Sequence, residues 1–254
     1  MIEILLLCGF AFLAGFMDAV VGAGGLVQIP ALLLLLPQPA MADVLGTHKF
    51  VSTVGTSLAV YHYARQVPIQ WPATLPSVVP ALVGAFLGAR TVSLLPTERL
   101  RPVIVGLLIT VTVFTFLKKD FGAFAVPKLS ATHQRWWGMG LGVVLGFYDG
   151  CFGLGAGSLL LFAFIGLFGV DFLVAAVSAR VVNLATNASA LLAFASTQHI
   201  LYLIAVPLSV CNVLGALTGA KLATTKGAPF VRGLFLIVVT TLIIKLAYDL
   251  WYPP

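Results

Sequence analysis

Charged residues are scarce in this chain. They make up 9% of its 254 residues, whereas hydrophobic residues make up 60%. Because soluble domains carry about 25% charged residues, this composition excludes a water-soluble globular protein. The long apolar runs also lack the alternating pattern of an outer-membrane barrel. The sequence therefore predicts an all-α integral membrane protein in contact with a lipid bilayer.

Residues that would indicate a cofactor or an enzyme are also missing. Cys8, Cys151 and Cys211 lie in apolar segments without a CxxC pair, and no histidine has metal-ligand spacing. The sequence contains no nucleophile elbow, Walker loop or zinc signature. The net charge of +6 comes mostly from basic residues in short loops, which orient membrane proteins. We therefore predict no cofactor, no metal, no enzymatic activity and no nucleic-acid partner.

Charges and prolines divide the chain into two sets of five apolar segments. The first set lies at about 4–21, 25–36, 43–64, 71–92 and 100–118, and the second at about 136–152, 155–170, 172–195, 200–222 and 229–251. We predict a first membrane repeat over residues 1–118, a polar linker over 119–135, and a second membrane repeat over 136–254.

The two halves are versions of one another. Residues 15–24 read GFMDAVVGAG and residues 146–155 read GFYDGCFGLG, and matching residues are 131 positions apart. The same ungapped register pairs Lys49 with Arg180, Ser52 with Asn183, Thr56 with Asn187, Gly84 with Gly215, and Gly88 with Gly219. Such a long register indicates a duplicated membrane unit.

The relative orientation of the halves depends on the opening segment of each. If residues 4–36 cross once, each unit has four crossings and the units are parallel. If they re-enter around the glycines, each has five and the second unit is inverted. The inverted scheme gathers most basic residues on one face: Arg65, Lys118, Lys119, Lys128, Arg135, Lys221, Lys226 and Arg232, against Arg90, Arg99, Arg101 and Lys245. The positive-inside rule thus favours about 8–10 segments in an inverted 5+5 arrangement, with both termini outside.

Asp18 and Asp149 are the matching carboxylates of the two halves. A carboxylate within an apolar run is costly and normally faces a cavity or a partner. Each aspartate either stabilises the adjacent glycine loop or acts as a proton- or cation-coupling group.

Glycine clusters follow each aspartate. They include Gly22, Gly24 and Gly25 in the first half and Gly153, Gly155 and Gly157 in the second. Glycine permits a helix to break, and a helix that restarts directs free N–H groups and a positive dipole end towards an anion. The alternative is close packing of small residues between helices.

Lys49 and Arg180 are the matching basic residues within the third segment of each half. Each either neutralises an aspartate or binds an anionic substrate. Ser52, Thr56, Asn183 and Asn187 follow at helical spacing, so they share the face of the cation and are predicted to line a cavity. His48 matches Ala179 and is a weaker candidate. We expect two broken helices to meet at the repeat interface, each beside the cation of its own half.

With these motifs, the chain resembles the TauE/SafE family of membrane transporters. The resemblance rests on residues 15–34, 46–56, 146–161 and 179–194 and covers essentially the whole chain. His48 departs from the smaller polar residue expected there. The resemblance implies a multi-pass permease of the bacterial inner membrane for a sulfur-containing anion such as sulfite or an organosulfonate.

Three functions are compatible with the sequence. The first is a secondary transporter for a small oxyanion, coupled through Asp18 and Asp149, with alternating access between the repeats. The second is an uncoupled anion channel. The third is a membrane-embedded enzyme or assembly factor, for which the sequence supplies no reactive group. Neither a monomer nor a homo-oligomer is excluded.

Overall fold

A computed structural model describes residues 2–37, 39–98 and 130–226, together with 100, 102–104, 106, 107, 109 and 110. The predicted segment 229–251, most of 100–118 and most of the linker lie outside these residues. The described part contains helices and short connections and no strand. An all-α architecture is confirmed.

Eight helices follow in chain order. They are α1 (Ile2–Val21), α2 (Gly24–Leu35), α3 (Met41–Ala64), α4 (Trp71–Ser93), α5 (Ala131–Cys151), α6 (Ala156–Phe168), α7 (Phe172–Ser196) and α8 (Tyr202–Lys226). These bounds follow the predicted apolar segments closely. Residues 131–135 of the predicted linker are helical, because α5 begins at Ala131.

Four of these helices are long and apolar enough to cross a membrane: α1, α4, α7 and the Tyr202–Ala223 part of α8. Helices α2 and α6 are shorter apolar helices of 12 and 13 residues. At 1.5 Å per residue, neither reaches across the hydrocarbon core. Helix α3 is long enough, but it carries Asp43, His48 and Lys49.

The opening helix of each half breaks at glycines, as predicted. Gly22, Gly153 and Gly155 have φ angles of +75°, +67° and +64°, in the left-handed region that side chains with a Cβ rarely adopt. After the first break, Gly24 packs back against Ala14 and Asp18. The chain therefore reverses, and α2 returns beside α1 as the second arm of a re-entrant hairpin.

Helices α4 and α5 are parallel neighbours joined along a stripe of small residues. Successive glycines of α5 rest on successive small residues of α4: Gly138 on Ala73, Gly142 on Ser77, Gly146 on Ala81 and Gly150 on Ala85. The absence of a Cβ allows the backbones to approach closely, which is how membrane helices gain packing energy without a hydrophobic driving force.

The repeat-related pair, α8 and α1, packs in the same way. Gly15 lies against Asn212, Gly215 against Phe12, and Gly219 against Phe16, so these helices are also parallel. The first helix of each half therefore packs along the fourth helix of the other half. The two halves are interlocked rather than side by side.

Contacts along the remaining helices fix their directions. Helix α3 runs parallel to α8, since Thr47 contacts Leu201 and Gly55 contacts Asn212. It runs antiparallel to α7, because Lys49 contacts Asn187 while Tyr63, further along, lies beside Arg180. Helix α7 is parallel to α4, with Gln70 bonded to Ser178 and Ser189 to Leu82.

These directions show that repeat-related helices run in opposite senses. Helices α1, α3 and α8 point one way, and α4, α5 and α7 point the other way. Each helix therefore opposes its partner at an offset of 131, which is the inverted arrangement that the sequence favoured. Exposed Arg65 and Arg135 lie at one end of the bundle and exposed Arg90 lies at the other.

Candidate functional site

The two helix breaks meet at the centre of the bundle. The backbone N–H of Ser158 in α6 donates to Gly22 O at 3.1 Å, and the Ser158 hydroxyl donates to Val21 O at 2.6 Å. These bonds satisfy carbonyls that the end of α1 leaves without an intrahelical partner. Gly22 and Gly157 pack backbone to backbone, with no room for a Cβ on either.

A tightly bound ion pair lies beside this junction. Lys49 Nζ is 2.7 Å from Asp149 Oδ1, and both side chains are only 1% exposed. The same ammonium donates to Asn187 Oδ1 at 2.8 Å. Because two desolvated charges are stable only with good geometry and further hydrogen bonds, the surrounding groups are essential to this pair.

The other oxygen of Asp149 is held by α7. Asn183 Nδ2 donates to Asp149 Oδ2 at 3.2 Å, and the Thr186 hydroxyl donates to the same oxygen. Asn187 Nδ2 in turn donates to Asn183 Oδ1 at 3.2 Å. Both carboxylate oxygens therefore have partners, and the Lys49–Asp149 pair is fully hydrogen-bonded.

A second, looser ion pair joins Arg180 to Asp18. Arg180 Nη1 lies 3.4 Å from Asp18 Oδ2, and the two side chains are 4% and 13% exposed. Thr56 donates to the same carboxylate oxygen at 3.0 Å. Arg180 Nε is buried and has no hydrogen-bond partner among the described residues, so part of this guanidinium is unused.

The two ion pairs cross between the halves. Lys49 of the first half binds Asp149 of the second, and Arg180 of the second half binds Asp18 of the first. The expectation that each cation lies beside the broken helix of its own half was therefore wrong. The inverted repeat is the physical reason, because it brings α3 and α7 across the junction in opposite directions.

A small cavity lies between the breaks and the ion pairs. Its lining is almost wholly polar or glycine backbone: Asp18, Gly22, Gly25, His48, Ser52, Asp149, Gly153, Gly157, Asn183 and Asn187. The volume open to the centre of a water molecule is about 10 Å³, close to the minimum for one water. The centre must therefore expand before it can hold a larger solute.

The predicted residues outside this lining have supporting positions. Lys49, Arg180 and Thr56 contact the cavity carboxylates from behind. Gly24 begins α2 against Asp18, and Gly155 precedes the first residue of α6. The aspartates, the glycines and the polar residues of α3 and α7 therefore lie together, as the sequence predicted, although not all of them line the cavity.

Three buried residues at this centre escaped the sequence argument. Gln28 and His48 have Leu159 and Ala179 at the matching positions, so the repeat gave no reason to choose them. Thr186 matches Gly55, but it lies one helical turn after Asn183, and this spacing could have identified it. Among the described residues, no cluster of His, Cys, Asp or Glu could hold a metal ion.

Broken helices that meet beside buried charges at the interface of an inverted repeat define a membrane transporter. The chain belongs to the TauE/SafE family. The family model described as "Sulfite exporter TauE/SafE" matches residues 7–246.

Curated relatives are similar over nearly their whole length. A "Probable membrane transporter protein ORF9" from Sinorhizobium sp. is 32% identical over 96% of this chain and 92% of the relative. A "Probable membrane transporter protein" from Haemophilus influenzae is 31% identical over 94% and 92%. The "Probable membrane transporter protein YfcA" from Escherichia coli K12 is 30% identical over 94% and 87%. No solved structure gives a significant match.

Proposed function

We propose that this membrane transporter moves a small sulfur-containing anion, such as sulfite or an organosulfonate, across the bacterial inner membrane. The substrate class comes from the family name. The observation that carries an anionic substrate is the pair of buried cations at the junction of two broken helices. Lys49 and Arg180 provide positive charge, and the restarting helices α2 and α6 add their positive dipole ends. No catalytic activity forms part of this proposal.

The charge balance of the centre supports a coupled mechanism. Two cations and two carboxylates give a formal charge of zero, so a monovalent anion leaves the buried centre with one uncompensated negative charge. Such a charge is costly inside a membrane. A proton on Asp18 or Asp149 restores neutrality and frees a cation for the substrate. We therefore propose that the aspartates couple one proton to each monovalent anion.

Alternating access would arise from the interlocked halves. The cavity is nearly closed, so a substrate reaches it only when helices move apart on one side. Because the halves are inverted, a movement that opens one side has a repeat-related counterpart that opens the other. By the positive-inside rule, the bundle end that carries Arg65 and Arg135 faces the cytoplasm.

Ligand-induced stabilisation of the purified protein tests the substrate class. Sulfite, thiosulfate, sulfoacetate, taurine, sulfate and acetate are added separately, and thermal unfolding is followed in detergent. A ligand at 100 times its Kd stabilises the folded state by about 2.7 kcal/mol. We expect a sulfur oxyanion to raise the Tm more than acetate does. If none of the sulfur compounds raises it, the proposed substrate class is wrong.

An uncoupled anion channel is the alternative function, and flux in liposomes separates it from a coupled transporter. A proton gradient is imposed across vesicles with equal anion concentrations on both sides, and the membrane potential is clamped at zero. A coupled transporter then accumulates the anion against its gradient, whereas a channel produces no net accumulation. Asp149→Asn and Asp18→Asn variants are measured in parallel, and we expect accumulation to be lost in at least one of them.

A further inference from the structure

His48 and Gln28 form a buried polar pair that makes the centre chemically different on one side. The two residues are 3% and 2% exposed, and the matching positions of the second half hold Ala179 and Leu159. Neither residue bonds to a crossed ion pair. The repeat therefore does not explain why α2 and α3 place these two polar side chains in the bundle.

The His48 ring lies between the two helix breaks. Its Nε2 is 3.2 Å from the point that a Cβ would occupy on Gly25 and 3.4 Å from the equivalent point on Gly153. Both glycines line the cavity with His48. Ser52 Oγ lies 3.5 Å from Nε2 and 3.4 Å from Nδ1, and no shorter hydrogen bond engages Nε2 among the described residues. A solute in the expanded cavity would therefore meet this nitrogen.

Gln28 fixes the orientation and the tautomer of the ring. Its carbonyl oxygen Oε1 lies 3.1 Å from His48 Nδ1, and because a carbonyl oxygen only accepts, the hydrogen belongs to Nδ1. The Lys49 ammonium lies against Gly153 as well, and its charge disfavours a second cation there. In the neutral ring, Nε2 then presents a lone pair to the cavity.

We propose that His48 contacts the substrate and recognises a proton on it. This inference rests on the proposed function for the charge and size of the ligand. The preferred ligand is a singly protonated oxyanion, such as hydrogensulfite in its hydroxyl form. Its O–H donates to His48 Nε2, and its other oxygens face the cationic side of the centre. A sulfonate has no such hydrogen, and its oxygens are repelled by the lone pair.

Paired ligands and paired variants test this proposal. The Kd values of hydrogensulfite and methanesulfonate are measured by calorimetry at a mildly acidic pH, where sulfite is mostly singly protonated. The wild-type protein should bind hydrogensulfite roughly tenfold to a hundredfold more tightly, as expected for one buried hydrogen bond. His48→Gln places an amide oxygen near the position of Nε2 and should keep this preference. His48→Asn retains only the group near Nδ1 and should lose it.

The outcomes separate this inference from the proposed function. Equal affinities of the wild-type protein for the two anions overturn the inference, and this comparison requires no variant. A preference that His48→Asn retains in full also overturns it, while the proposed function stands. If the wild-type protein binds neither anion, nor any other sulfur oxyanion, the proposed function and this inference fail together.

Discussion

The two crossed ion pairs have the same design and different completeness. Lys49 and Asp149 are 2.7 Å apart at 1% exposure, with the ammonium also bonded to Asn187. Arg180 and Asp18 are 3.4 Å apart, the aspartate is 13% exposed, and Arg180 Nε has no partner among the described residues. One pair therefore contributes to a rigid junction, and the other has donors to spare for an anion. Pseudo-symmetry fixes where the charges lie but does not make them equivalent.

Removing the cations one at a time should break this comparison most clearly. Lys49→Met leaves Asp149 buried without its cation, which costs about 3–5 kcal/mol for a buried pair. Arg180→Met leaves a partly exposed Asp18 that still accepts from Thr56, so its cost should be clearly smaller. Thermal unfolding in detergent at one pH measures both variants. Equal destabilisation would contradict the difference between the pairs.

Exchanging the two kinds of cation sharpens the comparison while the charge is kept. Lys49→Arg puts a larger group into a fully packed position, and overpacking costs about 1–3 kcal/mol. Arg180→Lys should leave stability within about 0.5 kcal/mol of wild type but weaken binding of the anion, since the planar guanidinium is lost. Unfolding and calorimetric Kd values are compared for the two variants. An Arg180→Lys protein with unchanged anion affinity would show that the unused donors have no role.

Single hydrogen bonds to the carboxylates give the smallest expected effect. Thr186→Val removes a donor to Asp149, which is buried, and should cost about 1–3 kcal/mol because it leaves an acceptor less well satisfied. Thr56→Val removes a donor to the more exposed Asp18, where water can substitute, and should cost about 0.5 kcal/mol. Chemical unfolding of both variants under identical detergent conditions measures the difference. A larger cost for Thr56→Val would reverse the ranking of the two sites.

Sequence reasoning predicted the parts of this centre but not their pairing. Glycine next to a buried aspartate predicted both helix breaks, and the offset of 131 identified Lys49 and Arg180. An internal repeat matches equivalent residues, however, and equivalence does not say which residues touch. The crossed pairs depend on α3 and α7 running in opposite directions, which is a tertiary property. His48 and Gln28 were missed for a related reason, because they lack counterparts and the repeat was the guide.

The central claim is that each half supplies the cation that neutralises the carboxylate of the other half. A double-mutant cycle tests it most directly, with free energies of unfolding measured for Lys49→Met, Asp149→Asn, Asp18→Asn and the two doubles that contain Lys49→Met. We predict a coupling energy of about 0.5–3 kcal/mol between Lys49 and Asp149 and near zero between Lys49 and Asp18. Strong coupling of Lys49 to Asp18, with none to Asp149, would contradict the crossed arrangement.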